Sequence, residues 1–133
     1  MTRITSRDNA RVKFVAKLAG DKAARRKEGL FVCEGLTMLA EALRSGVMPV
    51  EVFCEESQTA LLPPEVAHVS YEVPAHVVEK LSDVKTPQGV VFTCPIPESK
   101  ALSGMQFLAV EELRDPGNAG TIVRTADAFG IGG

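Results

Sequence analysis

"DPGNAGTIVRTADAFG", residues 115–130, is the most patterned stretch of the chain. Its first four residues carry turn chemistry. Pro116 fixes φ, Gly117 tolerates positive φ, and Asn118 or Asp115 offers a side-chain oxygen to the orphan N–H groups of a helix start. With Asn118 taken as the N-cap, Ile122, Ala126 and Phe129 fall on one stripe that faces a core. Gly120 and Arg124 lie four apart on the opposite side, with Thr121 and Asp127 beside them. The small residues at 118–120 allow close approach, and Arg124 projects one turn above them. A helix N-terminus with a guanidinium nearby makes an anion site. A plain capped helix, with Arg124 paired to Asp127 or in water, fits the same spacing. "GNAG" is neither a Walker loop nor G-x-G-x-x-G.

Upstream, "QFLAVEEL", residues 106–113, reads as a strand leading into that turn. Before it, "PIPESKALSGM" has Pro95 and Pro97 and reads as a linker. The rest alternates between the two periodicities. "RDNARVKFVAKLAG" is a helix with Val12, Val15, Ala16 and Leu18 inward, capped by Ser6 and ended by Gly20. "DKAARRKEG" is a short basic helix closed by Gly29, and "LFVCEG" a strand. "LTMLAEALRSG" is amphipathic, with Leu36, Leu39, Ala40 and Leu43 on one stripe. "PVEVFCE" alternates Val50, Val52 and Cys54 against Glu51, Phe53 and Glu55. "HVSYEV" and Val90–Cys94 are further strands, with a helix opened by Pro74 between them. Alternating strands and helices predict an α/β fold with a mainly parallel sheet. Residues 1–98 read as a small α/β sandwich, 99–104 as a linker and 105–133 as half a βαβ unit. Such a half unit cannot bury both faces of a sheet alone.

The charge is uneven. Residues 1–30 hold nine Lys and Arg against three Asp and Glu, while the other 103 hold six against fourteen. A basic arm on an acidic body points to a polyanion partner, although a solvated helical face carries the same pattern. Arg7, Arg11, Lys13, Arg25 and Arg26 are the residues expected to contact phosphate, giving salt-dependent affinity with little sequence reading. Base stacking is poorly supported, because no aromatic is interleaved with these cations. Cys33, Cys54 and Cys94 are odd in number and far apart. They form neither a disulfide framework nor a zinc site, which fits a reducing cytoplasm. His68 and His76 have no ligand-like partners, so no metal is expected. No stretch approaches a membrane span, and the start has no apolar signal segment.

Asn118, Gly120, Arg124, Ala126 and Gly130 reproduce N-x-G-x-x-x-R-x-A-x-x-x-G. The stretch closely resembles the first motif of the SpoU (TrmH-type) branch of the SPOUT RNA methyltransferases. "ITSRDNARVKFVAKL", "ARRKEGLFVCEGLTMLAEAL" and "TPQGVVFTC" resemble the RNA-binding domain that many members carry in front. That domain is similar to ribosomal proteins that bind kinked RNA helices. The resemblance implies a small α/β sandwich followed by the first βα unit of a SPOUT (α/β knot) domain. It implies methyl transfer from S-adenosylmethionine to a ribose 2′-hydroxyl of RNA, chiefly ribosomal RNA, by a homodimer. The family's catalytic domain ends in a trefoil knot, an exception to unknotted topology. The second and third motifs, which form the knot and hold the cofactor, are missing from this sequence. The expectation is therefore a fragment able at most to bind RNA.

The same resemblance makes Arg124 the main catalytic residue, with Asn118 its partner in shaping the site. Free Arg is a poor base, its pKa exceeding about 12. Arg124 is thus expected to stabilise a developing 2′-oxyanion, or to act as base with help from an RNA phosphate. Two other readings stand beside this one: a non-catalytic RNA-binding module, and an unrelated α/β protein with an anion site at 118–124.

Overall fold

The computed structural model describes residues 1–133 throughout and divides them into two compact units, Met1–Pro97 and Glu98–Gly133. The first unit begins with β1 (Thr2–Arg3), then α1 (Ala10–Gly20), α2 (Lys22–Glu28), β2 (Leu30–Glu34) and α3 (Leu36–Arg44). It continues through β3 (Glu51–Glu55), two 3₁₀ segments (Glu56–Leu61 and Pro64–Val69), β4 (Ser70–Val73), α4 (Ala75–Leu81) and β5 (Val90–Pro95).

The five strands form one sheet in the order β1-β4-β3-β5-β2. The α/β expectation holds, but the sheet is mixed rather than mainly parallel. β4 runs parallel to β1 and β3, whereas β5 is antiparallel to both β3 and β2. The cause lies in the chain path after β4. Val73 pairs with Glu55 at the end of β3, and the Glu55 N–H donates to the Gly89 carbonyl just before β5. Helix α4 and the loop at 82–89 therefore return the chain to the end of the sheet it left. β5 can then only descend against β3.

Both faces of the sheet are buried. On one face α1 and α4 contribute Val12, Val15, Val77, Val78 and Leu81, packed on Phe53, Val73 and Val91. On the other, Leu39 of α3 and Val66 cover Val52, Cys54, Phe92 and Cys94. Alternation in β3 thus separates two cores rather than core from solvent. Phe53 stacks on Tyr71 at a centroid distance of 5.3 Å, and Glu51 is buried.

Local chemistry sets the helix ends. α1 starts one turn later than Ser6 would place it. The Asn9 side chain accepts from the Arg11 N–H at 2.9 Å, while Ser6 Oγ is occupied by the Asp8 N–H. The Asp21 side chain caps α2 by accepting from Ala23 and Ala24, and Gly29 closes that helix at φ 66°.

The second unit contains α5 (Pro116–Ala128). Its N-cap is Asp115, not Asn118: Asp115 Oδ2 accepts from the Asn118 N–H at 2.8 Å. Pro116 is the reason, since its fixed φ and missing N–H suit the first helical position and put the cap one residue earlier. The strand expected at 106–113 does not form. A strand needs a neighbouring ladder, and this stretch has only isolated backbone bonds, from Leu108 N–H to the Gly133 carbonyl and from Gly132 N–H to the Gln106 carbonyl. Its apolar residues Phe107, Leu108, Val110 and Leu113 stay exposed. The expected core stripe of α5 is likewise only partly covered. Ile122 and Ala126 are half-buried, and Phe129 is 79% exposed.

Candidate functional site

The basic arm becomes the α1–α2 hairpin, and the fold divides its cations into two sets. Four of the five expected phosphate contacts are engaged within the protein. Arg7 Nε donates to the His76 carbonyl at 2.7 Å, and its Nη2 meets Glu79 at 3.1 Å. Arg11 pairs with the buried Glu51 and lies 5.2 Å over the Tyr71 ring. The hydrogen bond that Arg11 donates to Glu51, then the electrostatic influence of Tyr71 and of Glu51, raise the Arg11 pKa above its ordinary value. Lys13 sits 3.2 Å from Asp8, an exposed pair. Arg25 Nη1 donates to the carbonyls of Leu18 and Ala19 at 2.8 and 3.0 Å, closing the C-terminal end of α1.

Arg26 alone of the five has no intramolecular partner, and it is exposed. Three lysines not singled out from the sequence share that condition: Lys17 at the end of α1, and Lys22 and Lys27 on α2. None of the four enters an ion pair or side-chain hydrogen bond, so none has exchanged its hydration for a protein partner. Three of the four lie on α2. The sequence signal was the density of Lys and Arg in 22–27. The sequence does not show which cations stay unpaired, because the partners of Arg7 and Arg11, Glu79 and Glu51, lie some forty to seventy residues away.

In the second unit α5 carries the other expected site. Asn118 is the third helical residue and is exposed. Arg124 is exposed and does not pair with Asp127. Its guanidinium instead folds back along the helix. A Cβ built on Gly120 would meet Arg124 Nη1 at 3.2 Å, so glycine leaves the space in which the guanidinium rests. Thr121 and Thr125 turn their hydroxyls onto the carbonyls of Gly117 and Thr121 at 3.0 and 2.8 Å. Just before the cap, Glu112 has φ 53°, a left-handed conformation rare for such a side chain. Its carboxylate meets Arg114 at 3.1 Å. Around α5 the surface forms shallow crevices lined by Leu108, Ile122, Ala126 and Ile131, with Asp127 as the one carboxylate at their edge.

The first unit is a two-faced α/β sandwich with unpaired cations on one short helix, and the second carries a capped helix with glycine and arginine one turn apart. The chain belongs to the family described as the MRM3-like substrate binding domain, whose model matches residues 9–91. It is 31% identical over 131 residues to the 23S rRNA (guanosine(2553)-2′-O)-methyltransferase RlmP of Bacillus subtilis, covering 98% of this chain and 52% of that protein. It is 30% identical to the human mitochondrial rRNA methyltransferase 3, covering 90% of this chain and 31% of the relative. An AdoMet-bound crystal structure of an rRNA methyltransferase from Sinorhizobium meliloti superposes with a TM-score of 0.77 at 29% identity, over 99% of this chain and 52% of that one. The chain thus spans about half the length, or less, of these relatives.

Proposed function

We propose that this chain is the RNA-binding front part of an S-adenosylmethionine-dependent RNA 2′-O-ribose methyltransferase acting on ribosomal RNA in the cytoplasm. The observation that carries this reading is Arg124, an unpaired guanidinium held over Gly120 on a capped helix. The relatives support it by what they act on. α2 supplies phosphate affinity through Lys22, Arg26 and Lys27, with Lys17 beside it. Arg11, tied to Glu51, fastens α1 to β3, and Arg7, tied to Glu79 and the His76 carbonyl, fastens the segment before α1 to α4.

In the whole protein, S-adenosylmethionine supplies the methyl group. The residues present here act on the RNA side. Arg124 places positive charge where the ribose 2′-oxygen loses its proton, and such preorganised charge is worth about 10²–10³ in rate. Asn118, one and a half turns earlier, has a free side-chain amide with which to orient the ribose. The exposed apolar residues of 107–129 support burial against further protein surface, consistent with a homodimer of the whole protein.

Mapping ribose 2′-O-methylation along ribosomal RNA in cells lacking the gene tests this reading. Loss of methylation at one position, with the others retained, is the expected result. An unchanged map would overturn it.

A further inference from the structure

A crevice of about 340 Å³ opens in the first unit where α1 ends, beside α2 and the edge strand β2. Its size lies at the lower end of small-molecule pockets, roughly 300–1,000 Å³. Leu18, Leu81 and Val91 give it an apolar floor. Arg25, Glu34 and Asp83 bring charge to its walls.

The charges are fixed but not paired with one another. Arg25 is anchored through Nη1 on the Leu18 and Ala19 carbonyls, which leaves Nε and Nη2 without protein partners. Glu34 is held on the other side, accepting from Ser82 Oγ and from the Gln88 N–H, each at 2.7 Å. Asp83 is exposed and has no partner. A guanidinium and two carboxylates therefore border one apolar-floored space without forming an ion pair. That arrangement suits a flat, neutral ligand with acceptors on one edge and donors on another.

The free cations Lys22, Arg26 and Lys27 lie on the same helix as Arg25. A phosphate backbone following α2 would bring its bases to this crevice. Among the bases, guanine presents adjacent acceptors, O6 and N7, which match a guanidinium fork. It also presents adjacent donors, N1–H and N2–H₂, which match a carboxylate. Adenine and uracil have neither adjacent pair, and cytosine lacks the adjacent donors. Unpaired bases read on their edges are the usual target of sequence-specific RNA recognition.

We propose that this crevice holds one unstacked guanine of the bound RNA, with O6 and N7 on Arg25 and N1–H and N2–H₂ on Asp83. Glu34 braces the loop that carries Asp83. The inference rests on the RNA-binding reading and adds sequence preference to a surface otherwise blind to sequence. The guanine is a recognition element of the substrate-binding domain.

The test is fluorescence anisotropy of the full 133-residue chain with labelled RNA hexamers UUGUUU, UUAUUU, UUUUUU and the inosine version of the first, at one fixed salt concentration. The expected result is about tenfold or greater preference for UUGUUU over UUUUUU, as a good bidentate base contact gives. Adenine should bind no better than uracil, and inosine, lacking the N2 amine, should fall between. Asp83→Asn and Arg25→Lys, each checked for folding by circular dichroism, should bring the guanine preference to within about twofold. Equal, salt-dependent binding of all hexamers would overturn the guanine site and leave the RNA-binding reading standing. A preference that survives in both variants would also overturn it. Absence of binding to every hexamer and to ribosomal RNA would remove the RNA-binding reading and the guanine site with it.

Discussion

Replacing Asp115 by Ala should unwind the start of α5 and release Arg124 from its place over Gly120. α5 has no buried residue, so packing contributes little to its helicity. A helix of 13 residues is marginal on local terms alone. Asp115 adds two such terms: Oδ2 accepts from the Asn118 N–H at 2.8 Å, and its charge faces the positive end of the helix dipole. The lost cap costs about 1 kcal/mol, and the lost charge about 0.5 kcal/mol more. Together they lower the local helix equilibrium about tenfold. Amide hydrogen exchange over residues 119–125 reads this directly as a loss of protection of that size. Asp115→Asn keeps the acceptor and should lose only the smaller part. Every hydrogen-bond partner of Asp115 lies in 98–133, so amides of the first unit serve as an internal control. Protection in α5 unchanged within twofold would refute the claim that local capping holds the helix.

Three further outcomes follow from the first unit. Thr93 is fully buried and its hydroxyl has no hydrogen-bond partner; Thr93→Val should raise unfolding free energy by about 1 kcal/mol in urea titration, since the orphaned polar group is removed at little change of shape. Burial, with smaller contributions from Glu55 and Glu72 for Cys54 and from Cys33 for Cys94, pushes both thiols up from 9.0 to about 11. The folded state then holds protons that the unfolded chain releases above about pH 9, so stability should be constant below that pH and decline from 9 towards 11, measured by thermal melts across the range. Lys22→Glu combined with Arg26→Glu should weaken binding to ribosomal RNA fragments and lower the slope of log affinity against log salt by about two units, whereas an equal slope would place the phosphate contacts elsewhere.

The sequence carried the elements whose cause is local. Gly29 closing α2, the amphipathic stripe of α3 and the apolar runs of β3 and β5 all follow from spacing and composition, and all form near the expected residues. The order of strands did not follow. β5 lies between β3 and β2 and runs antiparallel to both; the return of the chain to one end of the sheet after α4 sets that direction, and no local period encodes it. The alternation of β3 sets Glu51 with Phe53 on one side but does not say that each side packs against a core of its own. The sheet has two, and Arg11 neutralises the residue that the second one buries.

The site was legible in unequal parts. Gly120 and Arg124 are four apart in a helix, so their contact follows from spacing, and the structure places them together. The cap was legible too, because Pro116 at the first helical position marks Asp115, yet Asn118 has an equally capable side chain and drew the assignment. "FLAVEEL" has strand composition but no ladder partner within 98–133, and composition cannot supply a neighbour. In the arm, net charge marks a basic region but not which of its cations stay unpaired. Which cations remain free depends on acids brought in from β3 and α4, and those contacts are long-range.

The proposed place of Arg124 in a ribose-methylating site on RNA is tested most directly by single-turnover methyl transfer by the whole protein to ribosomal RNA, comparing the natural sequence with Arg124→Ala. The expected result is label on a ribose 2′-oxygen, a rate about 10²–10³ lower in the variant, and RNA affinity within threefold. Transfer at an undiminished rate by the variant, or label on a base rather than a ribose, would contradict it.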